Sequence, residues 1–381
     1  MKHLVLAGGG HAHLHVLKAL AARPWPGVEV TLISPYARQI YSGMLPGWMA
    51  GHYRLDQCAA ALEPLLRAAK VRFIQDSVSG LNAKRRVIQT LQFGDIAYDA
   101  LSLDTGAQVD ASCLAATGAK LLAIRPIESF VVDWTRQVDL FKLQGKACLA
   151  VVGGGAAGIE LALAARFRLA HELGAKNVQV TLIAGSGLLP GHGASIVRQV
   201  TDALARYRID VVRGYAAGCS SGLQLSDGTT IPVDCVIAAT GVKPAAWLAE
   251  SRLALAQDGF IAVQDGQQSA SHPEVFAAGD VASRIDTPHA KSGVYAVRAG
   301  PVLASNLNRL LMGHAPLSYR PQKRSLYLLA TGPKEAIMSW GSLSASGGWA
   351  WKWKDWIDRR FMRQYDLTPE TGLGEKKHEP A

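Results

Sequence analysis

The sequence predicts an α/β fold in which two parallel-sheet domains of one plan are followed by a small α+β domain, and three observations carry that reading. An apolar strand, a glycine loop, a helix and a second apolar strand occur in that order twice, over residues 4–33 and again over residues 148–183. Each copy is followed by a polar hairpin and then by an apolar strand that ends in Thr-Gly. A further apolar run, Val275-Phe276-Ala277-Ala278-Gly279-Asp280, ends in an acid and precedes a glycine-started helix from Gly293. Apolar runs bounded by turn signals and alternating with helical periodicity are the pattern of parallel sheets.

In the first copy, residues 4–7 read as a strand, Gly8-Gly9-Gly10-His11-Ala12-His13 as the loop, a helix passes through Leu17 and Leu20, and residues 28–33 form the next strand. The second copy runs from the strand 148–152 through Gly153-Gly154-Gly155-Ala156-Ala157-Gly158 and a helix over 159–169 to the strand 178–183. Glycines belong there because a pyrophosphate must approach backbone N–H groups at a helix N-terminus, and side chains would block it. One such loop is weak evidence, whereas two in one chain predict two Rossmann-like dinucleotide-binding domains.

The hairpins fall at residues 86–95 and, around the Asp227-Gly228 turn, at 223–228; the closing strands end at Thr105-Gly106 and Thr240-Gly241. An acid at the C-terminal end of a parallel strand sits where ligands bind in such sheets, so the run ending at Asp280 is assigned to the first domain. That makes the first domain discontinuous, residues 1–110 and 250–315, with residues 111–249 inserted and residues 316–371 forming a third domain before a tail at 372–381.

With 381 residues, 49% hydrophobic and 18% charged, the chain is long enough for two or three packed domains. The formal charge of +10 comes from dispersed Lys and Arg, which argues against a nucleic-acid surface. No stretch reaches the roughly 18 apolar residues of a membrane span. The start of the chain is too short in apolar length for a signal peptide, and five scattered cysteines lack Cys-x-x-Cys spacing, so a cytoplasmic, reduced protein is expected.

The paired glycine loops, the two Thr-Gly strand ends and Ala278-Gly279-Asp280 resemble the FAD-dependent pyridine nucleotide-disulfide oxidoreductase superfamily over about residues 1–310. Gly8-Gly9-Gly10-His11-Ala12-His13, Tyr41-Ser42-Gly43-Met44-Leu45-Pro46-Gly47, Ala296-Val297-Arg298-Ala299-Gly300-Pro301 and Ile357-Asp358-Arg359-Arg360-Phe361-Met362 further resemble the flavoprotein module fused ahead of selenide, water dikinase. Type II NADH dehydrogenases and sulfide:quinone reductases are more distantly similar.

The resemblance implies that Gly8, Gly9, Gly10 and His11 hold the FAD pyrophosphate, that Ser34, Ser42, Thr105, Gly106 and Gly279 line the cofactor, and that Asp280 accepts a ribityl hydroxyl. It implies a second nucleotide, NAD(P)H, at Gly153, Gly155, Gly158, Thr240 and Gly241, with Glu160 near the nicotinamide. Lys291, just before a helix N-terminus, would stabilise negative charge on a reduced flavin.

Several positions depart from this pattern. The acid that usually bonds a ribose hydroxyl at the end of the second strand is replaced by Ser34 in one copy and Ala184 in the other, and Gly185-Ser186-Gly187 follows with no arginine, leaving NADH, NADPH or neither open. His13 replaces the third glycine of the first loop. His11 and His15 are four apart on a helix but lack further ligands, so no metal is expected. Cys148 and Cys235 read as buried core residues, which argues against a thiol pair, and no cysteine follows Cys235 to support sulfide oxidation.

Near the carboxyl end, basic residues from Arg320 to Arg324 precede apolar strands around 326–330 and 336–340. Trp349, Trp351, Trp353 and Trp356 then alternate with Lys352, Lys354, Arg359, Arg360 and Arg363 over residues 347–363. Such a helix suits the surface of a membrane, on its inner face, or a packed or dimeric contact. The expected activity is hydride transfer from NAD(P)H to FAD with onward delivery to a quinone or another small acceptor. The alternative is a flavin-binding partner module acting with a selenide, water dikinase or at a membrane, with an idle second site.

Overall fold

The computed structural model describes residues 1–322, 326–341 and 343–366. Lys323, Arg324 and the tail at 372–381 lie outside the described residues. The first sheet has the strand order Val275–Ala277, Ala100–Leu103, Lys2–Ala7, Val28–Ile33, Arg72–Ile74, all parallel. Its central strand is buried on both faces, which is why it reads as a continuous apolar run. Leu4 and Leu6 pack on Leu14 and Leu17 of the helix His11–Ala22 and on Leu303 and Leu307 of the helix Gly293–Leu311. Val5 and Ala7 point the other way, against Leu81, Ile88 and Ile96 of a three-stranded antiparallel sheet.

The second sheet repeats the plan: Lys120–Ala123, Cys235–Ala238, Ala147–Val152, Val178–Ala184, Asp210–Arg213, again all parallel. Leu149 and Val151 pack on the helix Ala156–Leu173 through Ile159 and Leu163, while Ala150 and Val152 face Leu223 and Leu225 of its own antiparallel sheet. Cys235 is buried in this core, but Cys148 is only half-buried, because it lies near the strand start with its Sγ 3.3 Å from the Pro232 carbonyl.

Where the chain passes between the two sheets, Gln108–Val109 and Val242–Lys243 pair as a short antiparallel ribbon. Asp110 N–H donates to the Gly241 carbonyl at 2.9 Å and the Thr240 hydroxyl donates to the Asp110 carbonyl at 2.6 Å. Thr240 and Gly241 therefore sit at the crossing itself.

Beyond residue 325, three antiparallel strands, Leu326–Ala330, Ala336–Trp340 and Leu343–Gly347, precede the helix Gly348–Arg363. The third strand lacked a sequence signal because it is short and polar, Leu-Ser-Ala-Ser-Gly, and it forms by pairing across a turn at Gly341. The helix buries Ala350, Asp358 and Phe361 and leaves Trp349, Trp353 and Trp356 between 39% and 50% exposed on its outer face.

Candidate functional site

A cavity of roughly 380 Å3 opens at the C-terminal edge of the first sheet. Gly8, Gly9, Gly10, His11, Ser34, Ser42, Thr105, Gly106, Gly279 and Asp280 all line it, so ten positions scattered over 273 residues of chain converge on one elongated space. Sheet topology does this, since all but Ser42 follow the ends of neighbouring parallel strands, and Ser42 follows the short antiparallel strand Arg38–Ile40.

The loop needs its glycines for close approach. Gly8 has φ +96°, and a Cβ there would collide with the Asp104 carbonyl of the adjacent strand; Gly153 in the second loop, at φ +139°, stands in the same relation to the Ala239 carbonyl. In neither helix that follows does the N-cap residue, Gly10 or Gly155, supply a side-chain cap, and neither has an acid in its first turn. Orphan N–H groups at such an end, together with the helix dipole, attract an anion.

His13 shows why the third glycine is dispensable in the first loop. In the second loop Gly158 lies directly on the Gly153 carbonyl, where any side chain would collide. In the first, the corresponding Gly8 carbonyl accepts a hydrogen bond from His13 Nδ1 at 2.6 Å, and the Ser102 hydroxyl meets His13 Nε2 at 2.8 Å. Burial lowers the His13 pKa to about 4, so the ring is neutral, with its proton on Nδ1 beside the carbonyl.

Two buried polar atoms in the cavity wall, Thr105 Oγ1 and His11 Nε2, have no partner among the described residues. Burial lowers the His11 pKa to about 4, and its ring stands edge-on to Tyr41 at 5.5 Å. Buried polar groups are normally satisfied, so these two atoms mark where a polar ligand fits.

Sequence reasoning missed five charged residues of the wall, Arg38, Asp76, Asp104, Arg125 and Glu128. Arg125 ion-pairs with Asp280, and Arg38 forms a bidentate pair with Glu128 at 3.0 and 2.8 Å. Arg125 and Glu128 follow the second-sheet strand Lys120–Ala123, so only the fold brings them to the first cavity. Asp104 also lines the wall and was passed over as part of the Thr-Gly strand end.

Lys291 and Glu160 stand outside the lining. Lys291 Nζ donates to the Ala282 carbonyl and the Ser283 hydroxyl, both at 2.6 Å, and lies 3.6 Å from Asp258. Burial lowers its pKa, with Asp258 and Asp280 opposing. Glu160 accepts the Ala330 N–H at 2.8 Å beneath the third domain. Burial pushes its carboxyl up to about 7, against the charge of Lys354.

Lys354 projects from the C-terminal helix into the same buried region and donates to the Gly43 carbonyl at 2.7 Å and to Asp358 at 2.8 Å. Burial works against its charge, but Asp358 and Glu160 hold the ammonium above its ordinary range. The helix is further tied to the first domain by Tyr53 donating to Asp355 at 2.7 Å and by the Phe361 ring packing at a tilt on Tyr41, centroids 4.4 Å apart. No group of three or more His, Cys, Asp or Glu placed to hold a metal occurs among the described residues. No helix of the described residues is long and apolar enough to cross a membrane.

Compared with known proteins, residues 2–300 match the family described as pyridine nucleotide-disulphide oxidoreductase. The chain is 32% identical over 216 residues to the ferredoxin–NAD(+) reductase component of a biphenyl dioxygenase system from Paraburkholderia xenovorans, covering 54% of this chain and 49% of that one. It spans about half the length of the curated relatives that it matches. In structure it resembles the sulfide:quinone oxidoreductase of Aquifex aeolicus, with TM-score 0.78, 19% identity, and 97% and 93% of the two chains covered. It also resembles NDH2 from Plasmodium falciparum in complex with NADH, with TM-score 0.77, 13% identity, and 95% and 98% covered.

Proposed function

The chain belongs to the pyridine nucleotide-disulphide oxidoreductase family, whose cofactors are FAD and NAD(P)H, and on that premise we propose that it carries hydride from NAD(P)H to FAD and delivers the electrons to a quinone or another small acceptor. The observation that carries this reading is the pair of glycine-loop helix ends on two like sheets, the first of them opening on a cavity whose Thr105 Oγ1 and His11 Nε2 lack partners. When bound, FAD supplies the hydride-accepting and electron-releasing chemistry.

The chain's own residues have distinct tasks. The N–H groups at Gly9, Gly10 and His11 receive the FAD pyrophosphate, with Arg125 as its cation. Thr105, Gly106, Gly279, Ser34 and Ser42 shape the walls, and Asp280 accepts a ribityl hydroxyl in place of part of its pairing with Arg125. Lys291, beside the start of the helix Gly293–Leu311, adds to the positive potential of that helix end. Gly153, Gly155 and Gly158 receive the nicotinamide dinucleotide pyrophosphate, with Thr240 and Gly241 at the crossing. Glu160, with its carboxyl near 7, holds or releases the proton that accompanies electrons leaving for the acceptor. In balance, one hydride from NAD(P)H and one proton reduce a two-electron acceptor.

The outer face of the C-terminal helix favours an acceptor dissolved in a membrane. Trp349, Trp353 and Trp356 share that face, Trp340 and Leu343 are exposed on the preceding hairpin, and Arg360 lies over the Trp356 ring. Aromatic rings and cations together suit the headgroup region of an anionic bilayer.

The reading is tested by anaerobic titration of the purified yellow protein with NADH and, separately, NADPH. Bleaching of the flavin band by either supports it, whereas no bleaching by both rejects it. In the second case the partner-module reading stands, motivated by Ala184 and the absence of an arginine in Gly185-Ser186-Gly187; it would be checked by selenide-dependent ATP turnover of a dikinase with and without this protein.

A further inference from the structure

The second domain lacks an acid at the end of its second strand, since Ala184 stands there. An acid in that place accepts the ribose 2′-hydroxyl of NADH and repels a 2′-phosphate. Ala184 removes both effects, and the immediate continuation, Gly185-Ser186-Gly187, supplies no cation.

Strand register supplies one from elsewhere. Val178–Ala184 pairs in parallel with Asp210–Arg213, and the terminal partners are Ala184 and Arg213. Paired residues of adjacent strands lie about 4.8 Å apart and point to the same side of the sheet. The arginine thus stands beside the vacated acid position, at the C-terminal edge where ligands bind. Arg213 is exposed and forms no ion pair among the described residues. The one acid of its strand, Asp210, is at the opposite end, paired with Thr181.

Tyr215 completes the arrangement. Its side chain is 72% exposed, yet its ring lies against Gly185, where a Cβ would come within 2.6 Å of it. An exposed aromatic ring beside the strand end offers a surface for a purine, and the Ser186 hydroxyl lies on the adjoining turn, closed by the Gly187 N–H on the Ala184 carbonyl at 3.2 Å.

From this juxtaposition we infer that the second site takes NADPH in preference to NADH, with Arg213 binding the adenosine 2′-phosphate and Tyr215 packing on the adenine. A planar guanidinium engages a phosphate through paired charge-assisted hydrogen bonds, and a 2′-hydroxyl offers it no such partner. The inference rests on the proposal that the second glycine loop binds a nicotinamide dinucleotide.

The test is calorimetric titration of the flavin-loaded full chain with adenosine 2′,5′-bisphosphate and with adenosine 5′-monophosphate, alongside flavin reduction by NADPH and NADH. Wild type is expected to bind the bisphosphate at least tenfold more tightly and to show a lower KM for NADPH than for NADH. In Arg213→Ala both preferences collapse, and in Arg213→Lys part of each returns, which a merely structural role would not produce. Equal binding of the two probes by wild type, or an undiminished preference in a folded Arg213→Ala, overturns the inference. If that occurs while either nucleotide still bleaches the flavin, the hydride-transfer reading survives and only the NADPH assignment falls. If the bisphosphate preference and its loss in Arg213→Ala are seen but neither nucleotide bleaches the flavin, the assignment holds and hydride transfer falls.

Discussion

Asp104 caps the helix that carries His13: one carboxyl oxygen accepts the His13 N–H at 3.1 Å and the Ala12 N–H at 2.8 Å. The cap comes from the end of a neighbouring strand, 91 residues away in sequence. Burial raises the carboxyl well above the usual range, although both N–H groups favour its charge. The helix end thereby keeps Gly9, Gly10 and His11 for a ligand while its next two donors are already satisfied.

Asp104→Ala leaves two buried N–H groups without an acceptor, each worth about 1–3 kcal/mol. A large fall in thermal stability is expected, together with weaker FAD retention in fluorescence titration. Asp104→Asn keeps an acceptor oxygen in place and should retain most of both. Equal behaviour of the two variants would show that the cap is unimportant.

Acid should weaken the fold through the histidines of the first helix. Burial lowers His11, His13 and His15 to about 4 from the ordinary 6.5. The unfolded chain takes up these protons below about 6.5 and the folded chain only near 4, so stability present at neutral pH is lost as pH falls through that window. At about pH 5 the loss is roughly 2 kcal/mol for each histidine. Glu160 acts oppositely, because its raised carboxyl contributes stability below 4.5 and loses it as pH rises through about 7. Unfolding midpoints in urea should therefore drop between neutral pH and pH 5, and drop less in His13→Gln.

Electron delivery should follow the Glu160 carboxyl. Acceptor-dependent turnover is expected to change with an inflection near pH 7, and Glu160→Gln should flatten that profile while anaerobic flavin reduction remains measurable. A pH profile identical in the variant removes Glu160 from the proton path.

Lys354 is expected to hold the third domain in place. Lys354→Met strands Asp358 and Glu160 without their cation, a change that costs about 3–5 kcal/mol for a buried pair. Lys354→Met with Asp358→Leu should recover much of this in denaturant unfolding. Failure of the double variant to recover would assign the loss to the Gly43 contact instead.

The outer tryptophans should act on a membrane and not on the fold. Trp349→Ala, Trp353→Ala and Trp356→Ala together are expected to cut partition onto anionic vesicles at least tenfold with little change in unfolding midpoint, since these rings are exposed. Unchanged partition would point to a protein partner for this face.

The central strands of both sheets and ten positions of the first cavity were legible in the sequence, because a parallel strand buried on both faces writes itself as an apolar run and a glycine turn before a helix is visible as glycine. Gly8, Thr105 and Asp280 each carried such a local signal. Trp349, Trp353 and Trp356 were visible as residues, but which side of their helix faced outward was not: burial of Asp358 and Lys354 decided it, through pairing that hydropathy opposes.

What the sequence by itself determined was the duplicated α/β plan, the two glycine loops and the departures at His13 and Ala184. What only the tertiary structure decided was what stands beside them: Ser102 and the Gly8 carbonyl at His13, Arg213 in register with Ala184, and, at the expected Asp280, the ion pair with Arg125. The physical reason is separation along the chain. Loop glycines and apolar runs act on their own neighbours and leave a local pattern, whereas a cation 29 residues beyond Ala184 or an arginine 155 residues before Asp280 becomes a partner only when strand register and domain crossing set them side by side.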